Sequence, residues 1–388
     1  MDHWLADAAF RSLGTNYLLP DVIDTLLEFN FNHADLKYIE RNAFNVKAIP
    51  ATWSRLSGKL HQLLETSDHE GRFHSSFVLR QRLVHALIRS WTLNLDENDS
   101  LEIWRRINAE FDKASSYLET FKESKTERVV LKTPAGECHG LLRRPLQLGR
   151  ENINLLIVFP GMDMTKEYFP SLIGSHTDYR DFSTLALDPP GHGYTYASGV
   201  KLDEQNMQAF TDSLFDWIED DSAHEFTVDK IGVLGIGTSS NYALKLGQQK
   251  QSLSVVAGFE GGFLFGAKET LKDQSSARLH KLAKMMDCRI EEVPEKVFDL
   301  SLEKSNAKVE VPAIFSIGEH DDLLPKKQIE KLVNVFKSDY IVNFYEDEGH
   351  VLGKVINEAL MTVLDHIEEC FQGKTNNLKG FQRIERRS

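Results

Sequence analysis

Residues 231–244 have the sequence Ile231-Gly232-Val233-Leu234-Gly235-Ile236-Gly237-Thr238-Ser239-Ser240-Asn241-Tyr242-Ala243-Leu244. The pattern predicts an apolar β strand, then a glycine-rich turn, then a helix. This order is typical of a nucleophile elbow, the tight turn that presents a catalytic hydroxyl at the end of a strand. A phosphate-binding turn has a similar context, but the segment has neither Gly-x-x-x-x-Gly-Lys-Ser/Thr nor Gly-x-Gly-x-x-Gly.

The elbow pattern Gly-x-Ser-x-Gly fits this turn in two registers. With Gly235 first, the nucleophile position holds Gly237, which has no hydroxyl. With Gly237 first, it holds Ser239, and Asn241 replaces the final glycine. Asparagine tolerates left-handed backbone better than most residues, so the shifted register is sterically acceptable. We take Ser239 as the expected nucleophile, Ser240 as the fallback, and the N–H groups near Ser240 as oxyanion donors.

The chain around this turn alternates apolar runs with helical patterns over residues 126–372. Near-continuous apolar strands that alternate with helices predict an α/β fold, a mostly parallel sheet covered on both faces. A charged, mostly helical stretch over residues 266–306 is interpreted as an insertion over the sheet. The predicted strands include Leu155–Phe159, Thr184–Leu187, Ile231–Leu234, Val255–Phe259, Ala313–Ile317 and Ile341–Phe344.

Candidate catalytic residues follow the last predicted strands, where ligands bind in such sheets. Asp321 lies in Gly-x-x-Asp-x-x-x-Pro, and His350 ends Glu-Gly-His. Their order after the elbow is that of a nucleophile, acid and histidine triad. An acid is needed beside the histidine to hold its tautomer and to stabilise the imidazolium during proton transfer. We therefore predict Asp321 as the acid and His350 as the base.

Further pocket residues are expected at other strand ends. Gly161 directly follows a buried strand, so the next N–H groups can point into the pocket as oxyanion donors. Asp163 is expected at the pocket mouth, and Glu260 is a candidate extra acid. His192, in an Asp-x-Pro-Gly-x-Gly turn, is interpreted as a turn residue rather than a catalyst.

The ends of the chain differ from this central region. Residues 1–125 predict a helical domain, because apolar residues recur every three and four positions in Ser75–Leu93 and again after Ser100. His85 on the first of these faces is interpreted as a packed core histidine. Residues 373–388, which are rich in lysine and arginine, are expected to form a flexible tail.

Composition excludes several classes of protein. The 388 residues carry a net charge of −13, which argues against nucleic acid as a partner. No apolar run has the length of a membrane span, and the start lacks the features of a secretory signal. Three separated cysteines fit a reducing, cytoplasmic compartment, neither a disulfide framework nor a metal cluster. We expect no cofactor and no metal; the oligomeric state stays open between a monomer and a homodimer.

The strand-end motifs resemble those of the family of 2,6-dihydroxypseudooxynicotine hydrolase, fermentation–respiration switch proteins and polyketide chain-shortening hydrolases. They are residues 231–235 and 241–245, Gly161-x-Asp163-x-x-Lys166-Glu167, and Asp188-x-Pro190-Gly191-x-Gly193. The resemblance covers about residues 125–370.

It implies an α/β-hydrolase fold with an N-terminal helical domain that closes over the active site. Some members cleave a C–C bond next to a ketone. By position, the resemblance makes Asp321 the triad acid, His350 the base and Met162 the first oxyanion donor. The departure is Gly237, which stands where hydrolytic members have serine.

Three functions remain open at this stage. The first is a serine hydrolase that uses Ser239 to cleave an ester, a thioester or a ketone-adjacent C–C bond, for example in a polyketide or β-dicarbonyl compound. The second is a His350 and Asp321 enzyme without a nucleophile, acting as a C–C lyase, decarboxylase or cyclase. The third is a non-catalytic binding protein. The expected ligand is a small molecule, either free or bound to a carrier protein.

Overall fold

The computed structural model describes residues 26, 31–45, 48–93, 100–120, 124–146, 152–169, 177, 180–220, 222–262, 267–272, 274, 276–305, 307–321, 323–324, 326–350, 352–353, 355–374 and 379–384. The chain divides into two compact units, Met1–Thr126 and Glu127–Ser388. No helix among these residues is long and apolar enough to cross a bilayer.

The first unit is helical in its described part. Its helices are α1 (His33–Asn42), α2 (Ala48–His69), α3 (Phe73–Thr92) and α4 (Ser100–Thr120). The spacing of apolar residues predicts that α3 and α4 pack together. In the structure, Trp91 of α3 packs edge-on against Trp104 of α4, with the ring centroids 5.2 Å apart. His85 is buried and stacks on Phe31 at 4.5 Å, and its burial lowers the pKa to about 4. It is therefore a neutral core residue.

A nine-stranded sheet organises the second unit, in the order β1-β2-β4-β3-β5-β6-β7-β8-β9. Strand β2 pairs antiparallel with β4, and every neighbouring pair from β4 to β9 is parallel. The strands are β1 (Ser124–Thr133), β2 (Gly136–Pro145), β3 (Asn152–Phe159), β4 (Ser183–Asp188), β5 (Thr227–Ile236), β6 (Val255–Phe259), β7 (Ala313–His320), β8 (Tyr340–Gly349) and β9 (Lys379–Ile384).

Helices flank the strands, as expected for a parallel sheet whose strands are apolar on both faces. Strands β4 and β6 are buried along their whole length, which explains their unbroken apolar sequences. The helices are α5 (Gly193–Ala197), α6 (Glu204–Glu219), α7 (Ser240–Gln249), α8 (Ala267–Lys272), α9 (Ser276–Met285), α10 (Val293–Leu300), α11 (Lys326–Val333) and α12 (Ile356–Phe371). The three helices α8, α9 and α10 lie between β6 and β7.

The end of the chain differs from its prediction. Residues Lys379–Ile384, expected to belong to a flexible tail over 373–388, form strand β9 and pair in parallel with β8 from Tyr340 to Tyr345. The basic residues of this segment suggested solvation. A sheet edge, however, supplies backbone hydrogen bonds to any extended segment, whatever the charge of its side chains.

Candidate active site

The elbow turn follows β5 directly. Gly237–Ser239 form a short 3₁₀ turn, and α7 begins at Ser240. Gly237 has φ +55°, in the left-handed region that glycine adopts without steric cost. A Cβ on Gly237 would lie 3.8 Å from Nε2 of His350 and 3.5 Å from Oε2 of Glu260. Gly237 therefore faces the histidine from the nucleophile position of the elbow.

The two serines of the turn point elsewhere. The Ser239 hydroxyl donates to the carbonyl of Pro160, and the Ser240 hydroxyl lies 3.0 Å from the carbonyls of Gly235 and Glu260. Both side chains are fully buried, and no hydrogen bond joins either of them to His350 among the described residues. The expected role of Ser239 as nucleophile does not fit this geometry, because the turn begins at Gly237 and the Ser239 hydroxyl is bonded to the carbonyl of Pro160, the residue after β3.

Asp321 and His350 lie next to each other in the structure, as their places after neighbouring strands predict. Asp321 is the first residue after β7 and His350 the first after β8, and these strands are parallel neighbours. Nδ1 of His350 lies 3.2 Å from both carboxylate oxygens of Asp321. The Asp321 carboxylate thus contacts the ring nitrogen that faces away from Gly237, so it can fix the ring with Nε2 directed at the elbow.

Backbone donors hold Asp321 in its charged form. Its oxygens accept from the N–H groups of Gly261 at 2.7 Å, Leu323 at 2.8 Å and Leu324 at 3.0 Å. Burial favours the neutral acid, but His350 and these donors outweigh it and hold the pKa of Asp321 below its ordinary value. A Cβ on Gly261 would lie 2.6 Å from the carboxylate, so only glycine permits the first of these contacts.

Glu260 is a second acid beside the histidine. It follows β6 with φ +67°, and its side chain is buried next to the position that a Cβ of Gly237 would take. Burial raises the pKa of Glu260 to about 8, while the charge of His350 lowers it. For His350, burial lowers the pKa, but Asp321 and then Glu260 raise it, to about 9. Both acid–base groups therefore lie at contact distance from the position that a Cβ on Gly237 would take.

The turn after β3 lies against the elbow. The Cα of Gly161 would be 3.8 Å from a Cβ on Gly237, and the carbonyl of Gly161 accepts from the N–H of Met164 at 3.0 Å. Met162, the predicted oxyanion donor, lies inside this closed turn with its side chain packed on the core. Its N–H therefore belongs to a turn of fixed shape beside the elbow.

A buried ion cluster fixes that turn to the next strand. Nζ of Lys166 lies 2.9 Å from Oδ2 of Asp188 and 2.7 Å from Oε1 of Glu167, and none of the three side chains is exposed. The backbone N–H of Lys166 also donates to Asp188 at 2.9 Å. Burial lowers the pKa of Lys166, but the two carboxylates more than compensate, so the pKa is raised. The two glycine-containing motifs of the sequence therefore meet in one charged cluster.

Asp163 lies in the turn after β3, and His192 lies in the turn after β4. The Asp163 carboxylate is 59% exposed and forms an ion pair with Lys281 of α9, whose side chain is only 13% exposed. His192 is buried, with Nδ1 3.1 Å from the carbonyl of Pro190, and burial lowers its pKa to about 4. A neutral ring bonded to its own turn fits the interpretation of His192 as a turn residue.

One group of residues has the composition of a cation site. Within the described residues, Glu319, His320 and Asp347 bring potential ligand atoms within 4.8 Å of one another. This group leaves no spacing signal in the sequence, because its members come from two strands. His320 and Asp347 are exposed, and exposed acidic groups of this kind are common without a metal ion. The group carries no argument for metal binding here.

Sequence reasoning also missed two contributions to the site. The Gly261 N–H donor to Asp321 could have been suspected, since Glu260-Gly261-Gly262 directly follows a buried strand at a sheet end where ligands bind. The ion pair of Asp163 with Lys281 could not have been suspected, because the two residues are separated by 117 others and no sequence pattern links them.

Solved structures share this architecture at low sequence identity. A crystal structure of 2,6-dihydroxypseudooxynicotine hydrolase has a TM-score of 0.75 and 18% identity, covering 92% of this chain and 99% of that chain. Two structures of AbyA5 have TM-scores of 0.65 and 0.63 at 16% identity, covering 96% and 81% of this chain and 95% and 88% of theirs. No protein-family model and no curated protein sequence matches the chain.

The predicted fold is confirmed by this likeness. The chain has an α/β-hydrolase fold with an N-terminal helical region, and the resemblance stated from its motifs holds at the level of the fold. Identity below one fifth says nothing further about activity, which rests on the site itself.

Proposed function

We propose that this chain is a hydrolase that cleaves a C–C bond next to a ketone in a small β-dicarbonyl compound, using water rather than an enzyme hydroxyl. His350, Asp321 and Glu260 perform the acid–base chemistry. The N–H group of Met162 and the N–H groups of the elbow turn, Gly237–Ser239, bind the oxyanion. The mechanism is that of the second hypothesis from the sequence, an enzyme without a nucleophile, with Glu260 added to the acid–base groups.

The observation that carries the proposal is the space in front of Gly237. A hydroxyl there would complete a triad, but glycine places no side-chain atom between Nε2 of His350 and Oε2 of Glu260, and in the proposed reaction a water molecule or a substrate oxygen takes that place. Both atoms lie within van der Waals reach of that position, at 3.8 Å and 3.5 Å from a Cβ on Gly237. An attacking water needs a base within about 2.6–3.2 Å, and a leaving carbanion needs an acid.

The surroundings of the two groups support an assignment of roles: burial lowers the pKa of His350 but Asp321 more than compensates and favours the imidazolium, while burial raises the pKa of Glu260 and the charge of His350 opposes this by favouring the carboxylate. His350 holds its proton up to about pH 9 and Glu260 up to about pH 8, so the state with an imidazolium and a carboxylate is populated between them. The pair titrates as a unit, and its apparent pKa values belong to both groups. In the reactive state Glu260 is the base and His350 the acid, with Asp321 stabilising the imidazolium.

The step balances without any further reagent. Glu260 takes a proton from water while the water oxygen bonds to the substrate carbonyl carbon, whose oxygen becomes the oxyanion. Collapse of this intermediate breaks the C–C bond and leaves the electron pair on the α carbon as an enolate. His350 donates its Nε2 proton to that carbon. The products are a carboxylic acid and a ketone, and proton transfer between Glu260 and His350 restores the starting state.

The test uses 2,4-pentanedione, the simplest 1,3-diketone, with NMR detection of acetate and acetone. In H₂¹⁸O the acetate carries the label. We expect Glu260→Gln and His350→Gln each to lower kcat by about 10²–10⁴-fold, the range of general acid–base catalysis. The matched control is Ser239→Ala, which changes a buried serine of the same turn and should leave kcat within about two-fold.

Other outcomes point to other functions. Turnover that disappears in Ser239→Ala, together with a fluorophosphonate adduct on the wild-type chain, would favour the covalent serine hydrolase and overturn the proposal. Cleavage without ¹⁸O in the product would indicate a lyase. Binding of 2,4-pentanedione with no turnover, under conditions where all variants are folded, would favour a non-catalytic binding protein.

A further inference from the structure

A small cleft lies between helices α6 and α7, in a part of the molecule that the proposed reaction does not use. One face of α7 forms a wall of the cleft, because Tyr242, Lys245 and Gln249 are spaced by three and four positions. Phe159, the last residue of β3, also lines it. None of the acid–base residues of the proposed active site is among the described residues that line the cleft. It is therefore a second candidate binding site.

The interior of the cleft is apolar and small. Phe159, Phe210, Tyr242, Leu246 and Leu300 line it, and each is at most 6% exposed. Apolar walls with a few polar groups are the usual composition of a small-molecule site. The cleft offers about 60 Å³ of free space. A cavity of about 150 Å³ holds benzene, so this space takes about two or three carbon atoms of a ligand.

Lys245 supplies the positive charge of this lining. Its Nζ donates to the backbone carbonyl of Asp299 at 3.3 Å. An ammonium has three donors, and this carbonyl is its one hydrogen-bond partner within the described part of the chain. Burial lowers the pKa of Lys245 by more than the charges of Glu204 and Asp299 raise it. The ammonium is thus partly shielded from water without full compensation by the protein.

The carboxylates nearest to Lys245 are bound to another cation. Nζ of Lys304 lies 2.6 Å from Oε2 of Glu204 and 3.1 Å from Oδ1 of Asp299. Neither acid forms an ion pair with Lys245, as far as the chain is described. Because Lys304 balances Glu204, the one acid of the described lining, an anion beside Lys245 meets no unpaired carboxylate there.

We propose that the cleft between α6 and α7 binds a short-chain monocarboxylic acid, with the carboxylate on Nζ of Lys245 and two or three carbons among the apolar side chains. A hydrogen bond between an ammonium and a carboxylate is stronger than one between neutral groups. The chain of the acid replaces water against Phe159, Tyr242 and Leu246, which favours binding through burial of apolar surface. The site is separate from the proposed active site and does not depend on the proposed function.

The experiment compares butyrate with butyramide, which have the same three-carbon chain and differ in the charge of the head group. Dissociation constants are measured by ligand-observed NMR titration on the full chain. We expect butyrate to bind about ten-fold more tightly or better, because hydrogen bonds to charged groups contribute more than neutral ones. Lys245→Met keeps an apolar stem and removes the charge, so it should weaken butyrate to the level of butyramide. Lys245→Gln is a second variant in case Lys245→Met does not fold.

Two control variants locate the binding. Lys250→Met removes a charge just after α7, from a lysine that lies over the Phe215 ring and does not line the cleft, and it should keep the preference for butyrate. His350→Gln should keep it as well, since the imidazolium of the proposed active site is then absent. The inference is overturned by equal binding of the two compounds to the wild-type chain or by a preference that persists without Lys245. A preference lost in His350→Gln overturns it too, by placing butyrate in the proposed active site.

Discussion

Installing a hydroxyl at position 237 tests the geometry of the whole site. The substitution Gly237→Ser introduces a side chain where φ is +55°, and an L-residue in the left-handed region costs about 1–2 kcal/mol. The nearest atoms to the new Cβ, at 3.5 and 3.8 Å, are at ordinary contact distance, so steric overlap adds nothing. We therefore expect the free energy of unfolding to fall by about 1–2 kcal/mol, a loss that a domain stable by about 5–15 kcal/mol tolerates.

The new hydroxyl should become a nucleophile. The new Oγ lies one bond beyond a Cβ that is 3.8 Å from Nε2 of His350. It can therefore come within about 2.6–3.2 Å of Nε2, the distance that a nucleophile and its base require. Asp321 already orients the ring from the other side. Because the pKa of His350 is raised to about 9, the neutral base is scarce at neutral pH. Reactivity should rise about ten-fold for each pH unit up to that value.

The assay is intact mass after treatment with a fluorophosphonate probe, at several pH values. An adduct is expected on Gly237→Ser, and none on the wild-type chain, on Gly237→Ala or on Gly237→Ser combined with His350→Gln. Gly237→Ala controls for the backbone strain, since it has the Cβ without the hydroxyl. The reasoning is refuted if folded Gly237→Ser stays unlabelled, or if the wild-type chain is labelled at Ser239.

Three further predictions concern protons and charges. The plot of kcat/KM against pH for the wild-type chain should be a narrow bell with its maximum between pH 8 and 9, set by Glu260 and His350. In Glu260→Gln the residual kcat/KM should no longer decline on the acidic side. An unchanged profile in this variant would exclude Glu260 as the base. Lys166→Met should lower the unfolding free energy by about 3–5 kcal/mol in urea titrations, because it leaves two carboxylates buried without their cation. Lys268→Met, in an exposed pair whose side chains are 44% and 69% accessible, should cost at most about 1 kcal/mol, and similar losses for both would contradict the argument. Ser239→Ala should leave the pH profile unchanged, and any shift of either limb would link that serine to the reacting groups.

The fold could be predicted because its causes are local and repeated. Buried parallel strands need apolar residues on both faces, and β6, for example, begins and ends at the residues where its apolar run does. The placement of Asp321 and His350 followed from the same rule, since each is the first residue after a strand. Strand β9 escaped prediction because an edge strand is stabilised by the backbone of its neighbour, which leaves little trace in side-chain chemistry.

The elbow register could not be decided from the sequence, because the pattern fits with either Gly235 or Gly237 first and places either Gly237 or Ser239 at the nucleophile position. The decision depends on backbone geometry. Gly237 adopts the left-handed conformation, and Ser239 is then directed to the carbonyl of Pro160. The proximity of Glu260 to His350 was equally hidden, since a lone acid after a strand does not reveal its distance from a histidine 90 residues later.

The absence of a hydroxyl at Gly237 also limits the reactions that the proposed site can accelerate. General acid–base catalysis supplies about 10²–10⁴-fold, and an oxyanion donor about 10²–10³-fold, so the two together give about 10⁴–10⁷-fold. That is near the lower end of enzymatic accelerations. A simple amide or unactivated ester demands more, whereas a 1,3-dicarbonyl compound releases its carbon as a stabilised enolate. Glu260 and His350 without a nucleophile are therefore matched to a substrate that carries its own electron sink.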